Sequence, residues 1–416
     1  MTPRNATIGT PSSDTSRWAV GSGIDSRQAV EPDAGEAAGQ AADISNWAAA
    51  HKSAAAEQQF HTVKDSATRD AAGHPASNFS SDSLGDSAGR LKAQVQHCIG
   101  PELGQVEKLL RGATASRYEE VAELSQAAAA MGGKRLRPTL VWLSAQATNR
   151  TELSHSARRD LSSIAAAVEL VHAASLVHDD VMDHATHRRH QLTIAGKSGN
   201  SAAVLLGDLL FTRAYALAAG CGSTYPARLI AVASTRLCEG ELRQQASVRQ
   251  WQMTHAHYRS LLLQKTGALC GVSCRLGAWR AGADSGQARS LAKFGRLLGL
   301  AFQIHDDWLD YWGTDEVGKT LGTDLAQAKP TLPIIRLVQS TPPAGRAELI
   351  ELLNEPTAAA RRAIQDRLDA SDAGDYTLRI ARRCSEHAKR ELLALPPSPA
   401  RESLAAVADY SVRRAV

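Results

Sequence analysis

From about Arg90 onward, apolar residues recur three or four positions apart in Ala- and Leu-rich stretches, with short Gly, Pro or Asn breaks between them. Sustained strand alternation is absent. The pattern predicts helices near 93–110, 116–131, 138–148, 155–184, 199–220, 226–248, 255–281 and 286–312. A loop rich in Gly, Thr, Asp and Lys is expected over 313–330, with shorter helices beyond it. No internal repeat of roughly 20–50 residues is visible, which argues against a solenoid. Residues 91–416 are therefore expected to form one all-α domain, a bundle of ten or more helices around a central cavity.

Residues 1–90 read differently. They are dominated by Ala, Ser, Gly, Asp and Thr, with Trp18, Trp47 and Phe60 standing alone. Such a segment buries too little apolar surface to offset its ordering entropy, so it is expected to be a disordered N-terminal extension. It carries seven Lys/Arg against eleven Asp/Glu, so the remainder holds +8 against a total formal charge of +4. The early acids Asp14, Asp25, Glu31, Asp33 and Glu36 argue against an organelle transit peptide, and no signal-peptide core is seen.

Composition narrows the class further. Aromatics make up 5% of 416 residues, too few for an all-β sandwich. No uncharged apolar run reaches the roughly 18 residues of a spanning helix, so no integral membrane segment is expected, although peripheral membrane contact stays open. Six scattered cysteines in a chain of this size point to reduced thiols and a cytoplasmic location. Nothing resembles the basic, aromatic-interleaved face of a nucleic-acid binder.

The chemistry gathers in two acidic clusters, His178-Asp179-Asp180-Val-Met-Asp183 and His305-Asp306-Asp307-Trp-Leu-Asp310. On a helix, positions i and i+4 lie one turn apart, so Asp179 stacks on Asp183 and Asp306 on Asp310. A single triplet reads best as a solvated acidic face. Two triplets, each after an apolar approach (Leu170–Val177 and Leu297–Ile304), favour a hard cation such as Mg²⁺ that shares its shell with phosphate. Cations complete the pattern: Gly132-Gly-Lys134-Arg135-Leu-Arg137-Pro138, Arg188-Arg189, Lys265-Thr266 and Gly318-Lys319…Lys329-Pro-Thr-Leu-Pro333. Arg grips phosphate bidentately and Lys supplies a mobile point charge, so together these groups suit a diphosphate held by metal and cations.

With these motifs in this order, the chain from about residue 95 resembles the trans-isoprenyl diphosphate synthases of the polyprenyl synthetase family. The resemblance implies an isoprenoid-synthase-type bundle and Mg²⁺-dependent condensation of isopentenyl diphosphate with an allylic prenyl diphosphate. It puts Asp179, Asp183 and Asp306 on Mg²⁺, three ions with substrate bound, with Asp180, Asp307 and Asp310 in support. It assigns Arg188, Lys265, Lys319 and Lys329 to the allylic diphosphate, and Lys134, Arg137, His172 and Arg189 to isopentenyl diphosphate. Thr266 and Gln303 would lie beside the allylic carbon. A homodimer is likewise implied.

Two departures stand out. Where the family continues its arginine pair with Gly-x-Pro, this chain has His190-Gln191-Leu192, and His305 replaces a more usual apolar residue. The histidines 178, 184, 187 and 190, and the pair Cys270 and Cys274, read as loop and core residues before they read as metal ligands. Product length follows from the helix before Asp179. Ser175 and Ala174 are small, and His172, Val168, Ala165 and Leu161 continue down one lane. In the family, small residues there leave the tunnel open, so a product of six to ten isoprene units of the quinone side-chain type is expected. The alternatives are a short-chain (farnesyl or geranylgeranyl) synthase, a non-catalytic subunit of a heteromeric synthase, or a terpene cyclase.

Overall fold

The computed structural model describes residues 81–131, 133–148, 152–188, 191–313, 322–355 and 357–414, with side chains described from Ala88 onward. Residues 1–80 lie outside it, so most of the expected N-terminal extension is not described. The first helix begins earlier than its apolar period announced: α1 runs Ser81–Thr114 rather than 93–110, with a kink at Ile99 just ahead of Pro101.

Then follow α2 (Glu119–Met131), α3 (Leu136–Thr148), α4 (His155–Met182), α5 (Ile194–Ser198), α6 (Asn200–Ala219), α7 (Tyr225–Ala246) and α8 (His255–Leu262). The helix expected over 255–281 is interrupted by a π-helical turn, Leu263–Gly267, before α9 (Ala268–Arg280). The long α10 (Ser285–Trp312) is started by a capping box of Asp284 and Gln287. Beyond it lie α11 (Thr323–Ala326), α12 (Leu332–Ser340), α13 (Pro343–Asn354), α14 (Ala358–Asp369), α15 (Ala373–Glu391) and α16 (Pro399–Ser411). Among the described residues the only sheet is a ribbon in which β1 (His187–Arg188) pairs antiparallel with β2 (Gln191–Leu192). It falls where the sequence departs from Gly-x-Pro, and Arg188 pairs with Gln191 across it.

Two inner helices carry the architecture. Helix α4 is packed by α1, α3, α6 and α9, and α10 by α9 and α15. Their shared core contains Trp142, Leu143, Leu161, Ile164, Leu170, Tyr225 and Phe294, all essentially closed to solvent. Glycine sets the spacing at two seams of α9: a Cβ at Gly277 would collide with the Val141 carbonyl oxygen of α3, and one at Gly295 of α10 with that of Cys270. The resulting close approach puts the π turn against α10.

Among the described residues two helices are long and apolar enough to span a membrane, although charged residues interrupt the apolar run of each. In α4, 78% of the most apolar stretch is buried, as befits a core helix. In α6 only 33% is buried, and Leu205 is 69% exposed beside Val204.

Candidate active site

Both acidic clusters sit at the C-terminal ends of the inner helices. Asp179 and Asp180 end α4, and Asp183 is its C-cap, its N–H bonded to the Asp179 carbonyl. Asp306, Asp307 and Asp310 occupy the last turns of α10. One short strap joins the clusters. At its start, the Thr323 hydroxyl and the N–H groups of Thr323 and Asp324 donate to the Asp310 carboxylate at 2.5, 3.2 and 2.9 Å. At its end the Lys329 ammonium reaches Asp183 at 2.8 Å.

Each cluster has cations built onto it. Arg188 straddles one oxygen of Asp180, with Nε at 2.9 Å and Nη2 at 2.8 Å. Arg414, from the chain beyond α16, lies 2.7 Å from Asp306 and packs over the Phe302 ring. Lys265 lies 2.5 Å from Glu241 of α7. Burial opposes the Lys265 charge, but Asp179 and Glu241 outweigh it and raise its pKa above the ordinary lysine value. Asp179 faces the reverse problem. Burial, reinforced by Glu241 and Asp183 against the pull of Lys265 and Arg188, pushes its carboxyl up to about 6. Burial also raises Asp180 and lifts Asp307 to about 6, even though Tyr258 (2.5 Å) and Gln303 (3.0 Å) donate to Asp307.

The π turn presents Lys265 and Thr266 together, a frequent use of such bulges at functional sites. The Thr266 hydroxyl donates to Gln303 Oε1 at 3.1 Å, so these two expected neighbours do meet. On the other flank, Lys134 donates to the Tyr410 hydroxyl at 2.9 Å, and Arg137 stands at the start of α3. His172 lies half-buried on α4, seven residues before Asp179. Arg189, Lys319 and His190 lie outside the described residues.

The competing metal readings gain nothing from the geometry. His178 turns to the Val204 carbonyl, His187 to Thr186, and Cys270 and Cys274 are buried free thiols. Among the described residues no three carboxylate, imidazole or thiol groups form a ready-made cage. Mg²⁺ needs none, since it is held by one or two carboxylates together with substrate phosphate. The carboxylates of Asp179, Asp183 and Asp306 fit that requirement. Sequence reasoning missed Glu241, Tyr258 and Arg414. The first was legible as an acid two positions from the exposed Glu239, and so turned to the other face of a predicted helix. The other two are joined to their partners only by the fold.

An all-helical bundle whose two inner helices end in aspartate triplets ringed by Lys and Arg is the architecture of a prenyltransferase acting on diphosphates. The sequence profile described as Polyprenyl synthetase matches residues 118–368, and the chain belongs to that family. It is 33% identical over 327 residues to an octaprenyl diphosphate synthase of Haemophilus influenzae, covering 77% of this chain and 96% of that one. It is 32% identical to a short chain isoprenyl diphosphate synthase of Methanothermobacter thermautotrophicus, covering 68% and 87%. Among solved structures, a polyprenyl synthase from Caulobacter crescentus complexed with calcium and isoprenyl diphosphate superposes with a TM-score of 0.72 at 32% identity, covering 78% and 98%.

Proposed function

We propose that this protein is a Mg²⁺-dependent trans-polyprenyl diphosphate synthase that lengthens an allylic prenyl diphosphate by successive additions of isopentenyl diphosphate to six to ten isoprene units. The observation that carries this is two aspartate triplets joined by one strap, with Arg188 paired to Asp180, Lys329 to Asp183, and Lys265 within the field of Asp179. Asp179, Asp183 and Asp306 would hold Mg²⁺, three ions with substrate, and Asp180, Asp307 and Asp310 would steady them. Asp307 and Asp310 already accept protein hydrogen bonds, which suits the supporting role. When bound, the metal neutralises charge on the departing diphosphate.

Arg188, Lys265, Lys319 and Lys329 grip the allylic diphosphate, while Lys134, Arg137, His172 and Arg189 hold isopentenyl diphosphate. The allylic C–O bond breaks with its electron pair leaving on diphosphate. The isopentenyl double bond then forms the new C–C bond, and a proton passes to the released diphosphate. Thr266 Oγ1 and Gln303 Oε1, already hydrogen-bonded to each other, would offer their remaining lone pairs to the developing cation. The buried apolar wall below keeps water from it.

Product length rests on α4. The relatives above make both long and short products by name, so identity does not decide it. Ala174 is fully buried, as are Val168, Ala165 and Leu161 below it, and Ser175 is nearly so; none of these five carries an aromatic ring. All six cysteines are free thiols, in keeping with a reducing compartment such as the cytoplasm. The direct test supplies Mg²⁺, labelled isopentenyl diphosphate and allylic primers of two, three or four units, and sizes the dephosphorylated products. Chains of six or more units support the reading, three or four units shorten it, and no product with any primer overturns it.

A homodimer is also proposed, because α6 leaves an apolar face bare. Leu205→Glu is expected to halve the mass measured by analytical ultracentrifugation while leaving the melting temperature of the monomer fold intact. An unchanged mass would place the interface elsewhere or remove it.

A further inference from the structure

Of the three cations in Lys134-Arg135-Leu-Arg137, the middle one has no part in the site described so far. Its backbone is left-handed, with φ +51°, unusual for a long side chain and costly unless the surroundings hold it. They do. Arg135 Nε and Nη2 bond both oxygens of Glu107 on α1, at 2.6 and 3.2 Å. Nη1 donates to the Ala129 carbonyl of α2 at 2.8 Å and to Glu169 of α4 at 3.2 Å. The Arg135 carbonyl accepts the Thr139 N–H that opens α3. One residue thus ties four helices at the turn between α2 and α3.

Glu169 makes this more than a structural clasp. Its side chain is 1% exposed, and burial drives its pKa up while Arg137 and then Arg135 pull it back. Its Oε2 and the Nε of Arg137 are both buried without a hydrogen-bond partner. It also lies three residues before His172 on the same helix. A buried ion pair is weak evidence for stability, since apolar packing often serves as well, but it specifies one conformation. Here the conformation specified is the turn from which Lys134 and Arg137 project.

We propose that Arg135 and Glu169 are positioning residues for the isopentenyl diphosphate site. Arg135 spends four of its five N–H donors on Glu107, Ala129 and Glu169, which commits it to the clasp rather than to phosphate. By holding the strained turn it fixes the separation of Lys134 and Arg137, and Glu169 aims Arg137. The inference rests on the function proposed above, with Lys134 and Arg137 as the isopentenyl diphosphate grip. A displacement of about 1 Å in such a grip is enough to weaken binding or turnover severely.

The test is steady-state kinetics on the full chain, each substrate varied at saturation of the other. Arg135→Ala and Glu169→Gln should each raise KM for isopentenyl diphosphate about tenfold or more, with KM for the allylic primer changed less than about twofold. Arg135→Lys cannot form the same fork and should recover only part of the loss. Should Arg135→Ala fail to fold, Glu107→Gln loosens the same clasp from its half-exposed side and should shift the same KM severalfold in the same direction. Equal change in both KM values, or a lower melting temperature with both KM values unchanged, overturns the proposal. Arg137→Ala separates the two levels. If it too leaves KM for isopentenyl diphosphate untouched, the assignment of the grip has failed; if it alone raises that KM, only the positioning inference has.

Discussion

Exchange of Asp179 for asparagine is expected to lower kcat by about 10²–10³-fold without loss of folded protein. The carboxylate lies among Lys265, Glu241 and Asp183, where diphosphate and metal charge would meet it. Its stability effect runs the other way. The folded pKa, about 6, lies above the ordinary 3.8, so ionising Asp179 costs folding free energy. That cost is absent at low pH, grows as pH rises from about 4 to 6, and is complete above. In chelator, the urea midpoint of the parent should therefore fall across this window. The asparagine variant should show a shallower fall, not a flat line, because Asp307 is raised similarly. At pH 7.5 its midpoint should equal or exceed the parent's. Retention of more than about a tenth of kcat would remove Asp179 from the catalytic set.

The second large effect concerns what is made rather than how fast. Ser175→Phe should cut the product from six or more isoprene units to three or four. Position 175 lies one helical turn, about 6 Å, from Asp179, close to the length of one isoprene unit. Leu161 lies about 27 Å down the same helix, so under the proposed reading that helix has the length to flank several units. Ser175 is the better site for the block, since it is 7% exposed whereas Ala174 is fully closed and phenylalanine there would overpack the core. Sizing of the dephosphorylated products, with turnover kept within about fivefold, is the readout. A product of unchanged length would show that the tail descends along another face.

The helices from α2 to α10, apart from the short α5, were legible because each announces itself locally, through apolar spacing and through caps such as Ser154 and Asp284. The aspartate triplets were legible for the same reason, since their geometry is that of a single helix turn. What escaped was non-local or irregular. Helix α1 begins in a polar stretch that carries no apolar period. The π turn differs from an α-helix by one extra residue, which periodicity cannot register within five positions. Arg414 meets Asp306 across 108 residues, and Tyr258 meets Asp307 across 49; no spacing rule brings such pairs together. Lys329 was expected to serve a substrate, and its partner in the fold, Asp183, follows only from the path of the strap.

The pairing of Arg188, Lys329 and Arg414 with Asp180, Asp183 and Asp306 gives the mouth of the bundle an internal truce of charge. Three carboxylates that would otherwise repel one another are thereby neutralised within the chain. Under the proposed reading, the arrival of substrate is then a change of partners: Asp180 and Asp183 are released to the ion, and Arg188 and Lys329 to the diphosphate. Occupancy by only one of the two ligands would leave part of that exchange unbalanced, which makes metal and diphosphate binding co-dependent under that reading.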